Sequence, residues 1–177
     1  MTSTQEAPAV VPDFGDEDSD RKMCFIASKG TLDMVYPSLV MANAALGEGI
    51  ETHIFFTFWG MDIINKDTQD DLQFTWLGNT AMHPPGKKMH MPQGLAGLPG
   101  MTGIATKMMK KQIADLEVPE VPEFVQMIAD AGGHLWACKM SADMMDITMD
   151  NLVEGVEGII TATDFIELSD GGQVIFT

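Results

Sequence analysis

Cysteine is scarce in this chain: Cys24 and Cys138 are the two thiols in 177 residues. That is too few for a disulfide scaffold or a Cys-based zinc site. Long apolar runs are also missing. None approaches the roughly 18 residues needed to cross a bilayer, so no membrane span is expected. The N-terminus lacks the basic and apolar regions of a signal peptide, and the expected compartment is the cytoplasm, where both thiols stay reduced. Positive charge is short as well, with 10 Lys and Arg against 26 Asp and Glu and a net charge of −16. So acidic a chain repels phosphate backbones and anionic lipid, which disfavours nucleic acid and membrane surfaces as partners. No G-x-G-x-x-G, no G-x-x-x-x-G-K-[ST] and no G-x-S-x-G occurs, so nucleotide binding and α/β-hydrolase chemistry lack support.

What is present suits one domain with an ordinary core, since 45% of residues are apolar. Residues 1–20 are rich in Thr, Ser, Pro, Glu and Asp, and they hold −6 of the total −16. Such a segment is expected to be a disordered acidic tail, with the folded domain spanning 21–177.

Lys22–Ala27 reads as a buried strand that turns at Ser28-Lys29-Gly30. Leu32, Val35, Leu39, Ala42 and Leu46 recur on one helical face, with Pro37 as a blemish, and Gly47-Glu48-Gly49 ends that helix. Ile50–Trp59 is rich in β-branched and aromatic residues and predicts a second strand, with a helical stretch over Met61–Asn65. Residues 66–100 are broken by prolines, glycines and histidines and predict a long functional or mobile loop. Helices are expected at Thr102–Lys111 and Pro122–Ala131, a strand at His134–Cys138, and short helical pieces at Ser141–Met149 and Leu152–Glu154. Gly158–Ala162 and Gln173–Phe176 complete the strands, around a short helix at Thr163–Leu168. This alternation predicts an α/β fold with a doubly wound, mostly parallel sheet of about five strands. Ligands of such sheets sit beyond the carboxyl ends of the strands.

Cys138 closes the third predicted strand just before a helix, with Lys139 beside it. A helix N-terminus and a cation both lower a thiol pKa and raise the thiolate fraction. The competing reading is a small buried hydrophobe. Cys24 lies about 10 Å short of the strand-end rim, at roughly 3.3 Å per residue, and reads as core. Met82–Met91 carries two histidines and three methionines, a set suited to Cu(I). Its prolines and lysines favour a cover over the strand ends instead, with Lys87 and Lys88 attracting an anion, and no metal site is assigned. Met140, Met144, Met145 and Met149 are spaced to pack the core or a partner.

Three runs carry a family resemblance: HIFFTFWGMDII, GIATKMMKKQI and HLWACKMSADMMDI. Together and in this order they resemble the DsrE/DsrF/DsrH-like family, in its soluble DsrE-like sulfur-relay branch, over roughly Lys22 to Thr177. The resemblance implies a Rossmann-like fold, homo-oligomers and no organic cofactor. It implies a sulfur carrier or sulfurtransferase that passes sulfane sulfur, as persulfide or thiosulfonate, to or from a TusA-type carrier or a rhodanese. The family's sulfur-bearing cysteine falls on Cys138 in the AC-x-M-S run. Lys139, Met140, Ser141, Trp59, Gly60, Lys87 and Lys88 are then the expected substrate-binding residues. The alternative is a non-catalytic scaffold in which Cys138 is only packed.

Overall fold

The computed structural model describes residues 21–75 and 98–177. Strand β1 (Lys22–Ala27) leads to helix α1 (Leu32–Gly47), strand β2 (Glu51–Phe56) and a 3-10 helix over Phe58–Ile63. Two helices follow, α2 (Met101–Asp115) and α3 (Val121–Asp130). Then come β3 (His134–Cys138), the short α4 (Lys139–Met144), β4 (Val156–Ile160), α5 (Ala162–Leu168) and β5 (Gln173–Phe176). All strand pairs are parallel, in the order β4-β3-β2-β1-β5. The five-stranded α/β fold expected from the alternating pattern is the one observed.

That order explains the layers. Strands β1 to β4 step in one direction, and β5 returns to pair with β1 on the other side. Right-handed crossovers in opposite directions place their helices on opposite faces. On one face, Leu32, Val35, Leu39 and Ala42 of α1 and Val121, Phe124, Val125 and Ile128 of α3 cover Phe25, Ile54, Phe56 and Leu135. On the other, Phe165 of α5 closes a smaller cluster with Cys24, Phe55 and Cys138. Phe55 and Phe165 stack with centroids 4.6 Å apart. The Lys22 ammonium donates to the Leu168 carbonyl at 3.0 Å, which satisfies one of the open acceptors at the end of α5.

Strand alternation sorts the side chains between the faces. In β1, Phe25 and Ala27 face the larger core, while Cys24 and Ile26 face the smaller. In β3, Leu135 and Ala137 take the first face and Trp136 and Cys138 the second. Helix α1 ends as its glycines predict: Gly49 has φ +69° and donates to Leu46, and Ile50 donates to Ala45. That pair of bonds caps the carbonyls and turns the chain into β2.

Several boundaries differ from the sequence reading. Strand β2 stops at Phe56 rather than Trp59, because Phe58 takes a left-handed φ of +46° and begins the 3-10 helix. Strand β4 spans Val156–Ile160, earlier than expected, and α2 runs on to Asp115. Helix α4 begins directly after Cys138 and ends at Met144, and a single 3-10 turn at Met149–Asn151 replaces the remaining predicted helix. The stretch after residue 66 is not all loop: a 3-10 turn spans Gln69–Asp71, Leu72 and Phe74 are buried, and the Phe74 N–H donates to the Thr106 hydroxyl of α2 at 2.9 Å.

Candidate functional site

Parallel strands end together, and their register decides what meets at the rim. Phe56 pairs with Ala137, so the next residues, Thr57 and Cys138, lie side by side at the ends of β2 and β3. Cys138 is 4% exposed, and its side chain belongs to the smaller core. The chain then turns into α4 and brings Ser141, fully buried, back over the rim. The Ser141 hydroxyl oxygen lies 3.2 Å from that of Thr57 and accepts from the Phe58 N–H at 2.7 Å.

Burial by itself raises the Cys138 thiol, because an anion is costly away from water. Hydrogen bonding from the Thr57 hydroxyl, and from Ser141 and the Met140 backbone, outweighs that effect and holds the thiol below its ordinary value, while one of the two hydroxyl protons is spent between Thr57 and Ser141. Cys24 has no such set. It is wholly buried in the same cluster, and burial pushes its thiol up despite the nearby Lys22 charge. One cluster thus holds one thiol disposed to ionise and one disposed to stay protonated.

The segment that carries Thr57 is held by close packing. A Cβ on Gly60 would lie 2.0 Å from the Ala27 carbonyl oxygen, and one on Gly30 would lie 2.3 Å from that of Trp59. Only glycine lets these backbones approach so closely. The Thr57 N–H donates to Ala27 and the Gly60 N–H to Thr57. The φ of +46° at Phe58 is strained for a bulky residue, and it aims the Phe58 N–H at Ser141.

The residues singled out in the sequence divide among several places. Cys138, Ser141 and the backbone of Met140 meet at the thiol. Gly60 fixes the neighbouring turn. Trp59 and the Met140 side chain are 63% and 58% exposed, so neither encloses the sulfur. Lys139 departs from its expected role. Its ammonium lies 3.0 Å from both carboxylate oxygens of Asp143, a surface pair whose positive charge is locally neutralised. Hydrogen bonds from neutral groups do the work that was expected of that cation. Lys87, Lys88 and the His83–Met91 cover lie outside the described residues. Thr57 falls in the strand-end run Thr57–Gly60, yet it was not among the expected substrate-binding residues; only the register places it beside Cys138.

At the other end of the strands, His53 and His134 pair in register and stack with ring centroids 4.5 Å apart. His53 faces Glu51 at 2.7 Å, and His134 faces Glu157 at 2.6 Å. Among the described residues, no group of three or more His, Cys, Asp and Glu is arranged to hold a metal ion. No helix among them is long and apolar enough to cross a membrane.

A parallel five-stranded sheet with a cradled thiol at its carboxyl rim defines an α/β protein of the Rossmann-like class. Residues 19–176 match the model of the DsrE/DsrF/DrsH-like family, and the chain belongs to that family. It is 35% identical over 138 residues to the sulfur carrier protein DsrE2 of Allochromatium vinosum, spanning 77% of this chain and 86% of that protein. It is 23% identical over 158 residues to the uncharacterized protein YrkE of Bacillus subtilis, covering 88% and 96%. Two solved structures share the fold at a TM-score of 0.53. MTH1491 of Methanobacterium thermoautotrophicum is 11% identical, with 89% of this chain and all 100% of that chain covered. The ychN protein of E. coli is 12% identical, with 89% and 99% covered.

Proposed function

We propose that the chain is a sulfur carrier in which Cys138 bears the sulfur. The observation that carries this reading is the seat of Cys138 at the carboxyl rim, beside Thr57 by register and under the buried Ser141, where hydrogen bonding lowers a thiol that burial alone would keep protonated. The thiolate is the form that attacks a sulfane sulfur, and a site that favours it is prepared for loading. The name of the 35% identical relative, a sulfur carrier protein, agrees with this assignment. Cys138 takes sulfur as a persulfide or thiosulfonate, and a thiolate of a TusA-type carrier or a rhodanese removes it. Phe58, Trp59, Met140 and Met144 are exposed around the site and offer an apolar rim for such a protein, or for a second copy of this chain. Lys87 and Lys88 serve in this reading to attract anionic donors.

Intact mass spectrometry tests the proposal. After incubation with thiosulfate or polysulfide, Cys138 should gain about 32 Da per sulfur atom carried as a persulfide. Cys138→Ser should gain nothing. Equal loading of Cys24 and Cys138 in the native protein would sink the assignment.

A further inference from the structure

We propose that Thr57 sets the direction in which sulfur moves at Cys138, holding the sulfur-free thiolate and thereby driving release onto a thiol of ordinary pKa. This rests on Cys138 being the sulfur-bearing residue. Thr57 follows the last residue of β2 and stands beside Cys138 by register. It is 9% exposed, and its hydroxyl lies 3.2 Å from that of the fully buried Ser141. The Ser141 oxygen already accepts the Phe58 N–H, so its own proton is left to donate. Given to the Thr57 oxygen, that proton frees the Thr57 hydroxyl to donate to the neighbouring sulfur, and the strained turn at Phe58 keeps the pair in place.

Such a cradle does not treat the two states of the cysteine alike. In the sulfur-free state the negative charge sits on Sγ, where the donors point. In the persulfide Sγ becomes a neutral, two-bonded sulfur and a weak acceptor, and any charge lies on the outer sulfur. The cradle thus favours the sulfur-free thiolate over the loaded form.

In release, an acceptor thiolate R–S⁻ attacks the outer sulfur of Cys138–S–SH. The S–S bond breaks, its electron pair returns to Sγ, and R–S–SH forms with the proton still on the transferred sulfur. No external oxidant or reductant enters. A leaving thiol of lower pKa departs faster, so stabilising the Cys138 thiolate speeds this step. Loading is opposed by the same effect and requires a donor that itself carries a good leaving group. With thiosulfate, the thiolate attacks the sulfane sulfur, the S–S bond breaks and sulfite departs with the electron pair. The structure thus assigns Cys138 a place between an activated inorganic or thiosulfonate donor and an ordinary thiol acceptor.

Thr57→Val removes the hydroxyl and keeps the side-chain shape. It spares the Phe58–Ser141 bond, which a change at Ser141 would break. Loaded protein, freed of donor, is mixed with excess 2-mercaptoethanol, and loss of the added sulfur is followed by intact mass. Alkylation of Cys138 is measured against pH on the same proteins. Thr57→Val should shift the alkylation midpoint upward and slow release, because a leaving thiol of higher pKa departs more slowly. Thr57→Ser should restore both. Release and midpoint unchanged in Thr57→Val overturn the proposal.

A second measurement needs no variant. At equal concentrations of protein and small thiol, most of the sulfur should end on the small thiol, and retention on Cys138 would overturn the idea. Absence of any mass gain on wild-type Cys138 would sink the carrier reading instead. The alkylation profile of Thr57→Val would still report whether Thr57 holds the thiolate.

Discussion

The indole N–H of Trp136 donates to Nδ1 of His53 at 3.2 Å, which leaves the imidazole proton on Nε2, facing Glu51 at 2.7 Å. His53 is buried, and that burial lowers its pKa more than the bond to Glu51 raises it. The stacked His134 and the charge of Lys22 add to the lowering. An unfolded histidine takes up a proton near pH 6.5. Between that value and the lower folded pKa, the unfolded chain holds more protons, so stability falls as pH drops through this window. Urea midpoints should therefore fall from pH 7.5 to 5.5 in the wild type. His53→Gln can still accept from Trp136 and donate to Glu51, and its midpoint should fall less. At pH 5.5, one unit below the unfolded value, the gap is at most about 1.4 kcal/mol. Parallel losses in both proteins would exclude His53 as the titrating group.

The two thiols should separate in a simple labelling experiment. Cys138 should react with iodoacetamide with a midpoint below the usual thiol value of about 8.5, because its thiolate is hydrogen-bonded. Cys24, wholly buried and shifted upward, should label only on unfolding. Peptide mapping after brief labelling at pH 7 reads both, and early labelling of Cys24 would contradict its place in the core.

Strain at Phe58 has a thermodynamic signature. A left-handed φ costs a non-glycine residue roughly 1–2 kcal/mol. Phe58→Gly should thus be more stable than Phe58→Ala by about 1 kcal/mol, although the two lose almost the same contacts. Equal urea midpoints for the two variants would mean that the backbone there is not strained.

Gly60→Ala should be much more damaging. Its added methyl would meet the Ala27 carbonyl at 2.0 Å, a backbone atom that cannot swing aside. A loss of about 3 kcal/mol is expected, at the upper end of what overpacking costs, together with a raised alkylation midpoint at Cys138 as Thr57 moves. Full stability in urea would show that the turn adjusts freely.

Much of the fold was legible because its strands are apolar runs bounded by turn residues, and their alternation with helices leaves few arrangements open. Strand ends were harder. The aromatic composition of Phe55–Trp59 continues smoothly, yet backbone geometry breaks at Phe58. The position of Cys138 at the end of β3 could be read from HLWAC followed by polar residues. Of its partners, Met140 and Ser141 lie in the same run and were expected, but Thr57 is 81 residues away and reaches Cys138 only through parallel register. One signal was available and unread: Asp143 stands four residues after Lys139, the spacing at which a helix pairs opposite charges.

The return of β5 to the side of β1 also sets a sequence of events in time. Lys22 meets the Leu168 carbonyl across 146 positions, and Ser28 meets Thr177 across 149. Strand β1 can join β2 early in synthesis, but its opposite edge has no partner until the last strand has been made. Closing so long a stretch of chain is slow, and an unpaired edge is a template for another chain. Nascent or refolding molecules are thus most vulnerable to intermolecular pairing along β1, and dilution or slow release from a chaperone should raise the folded yield.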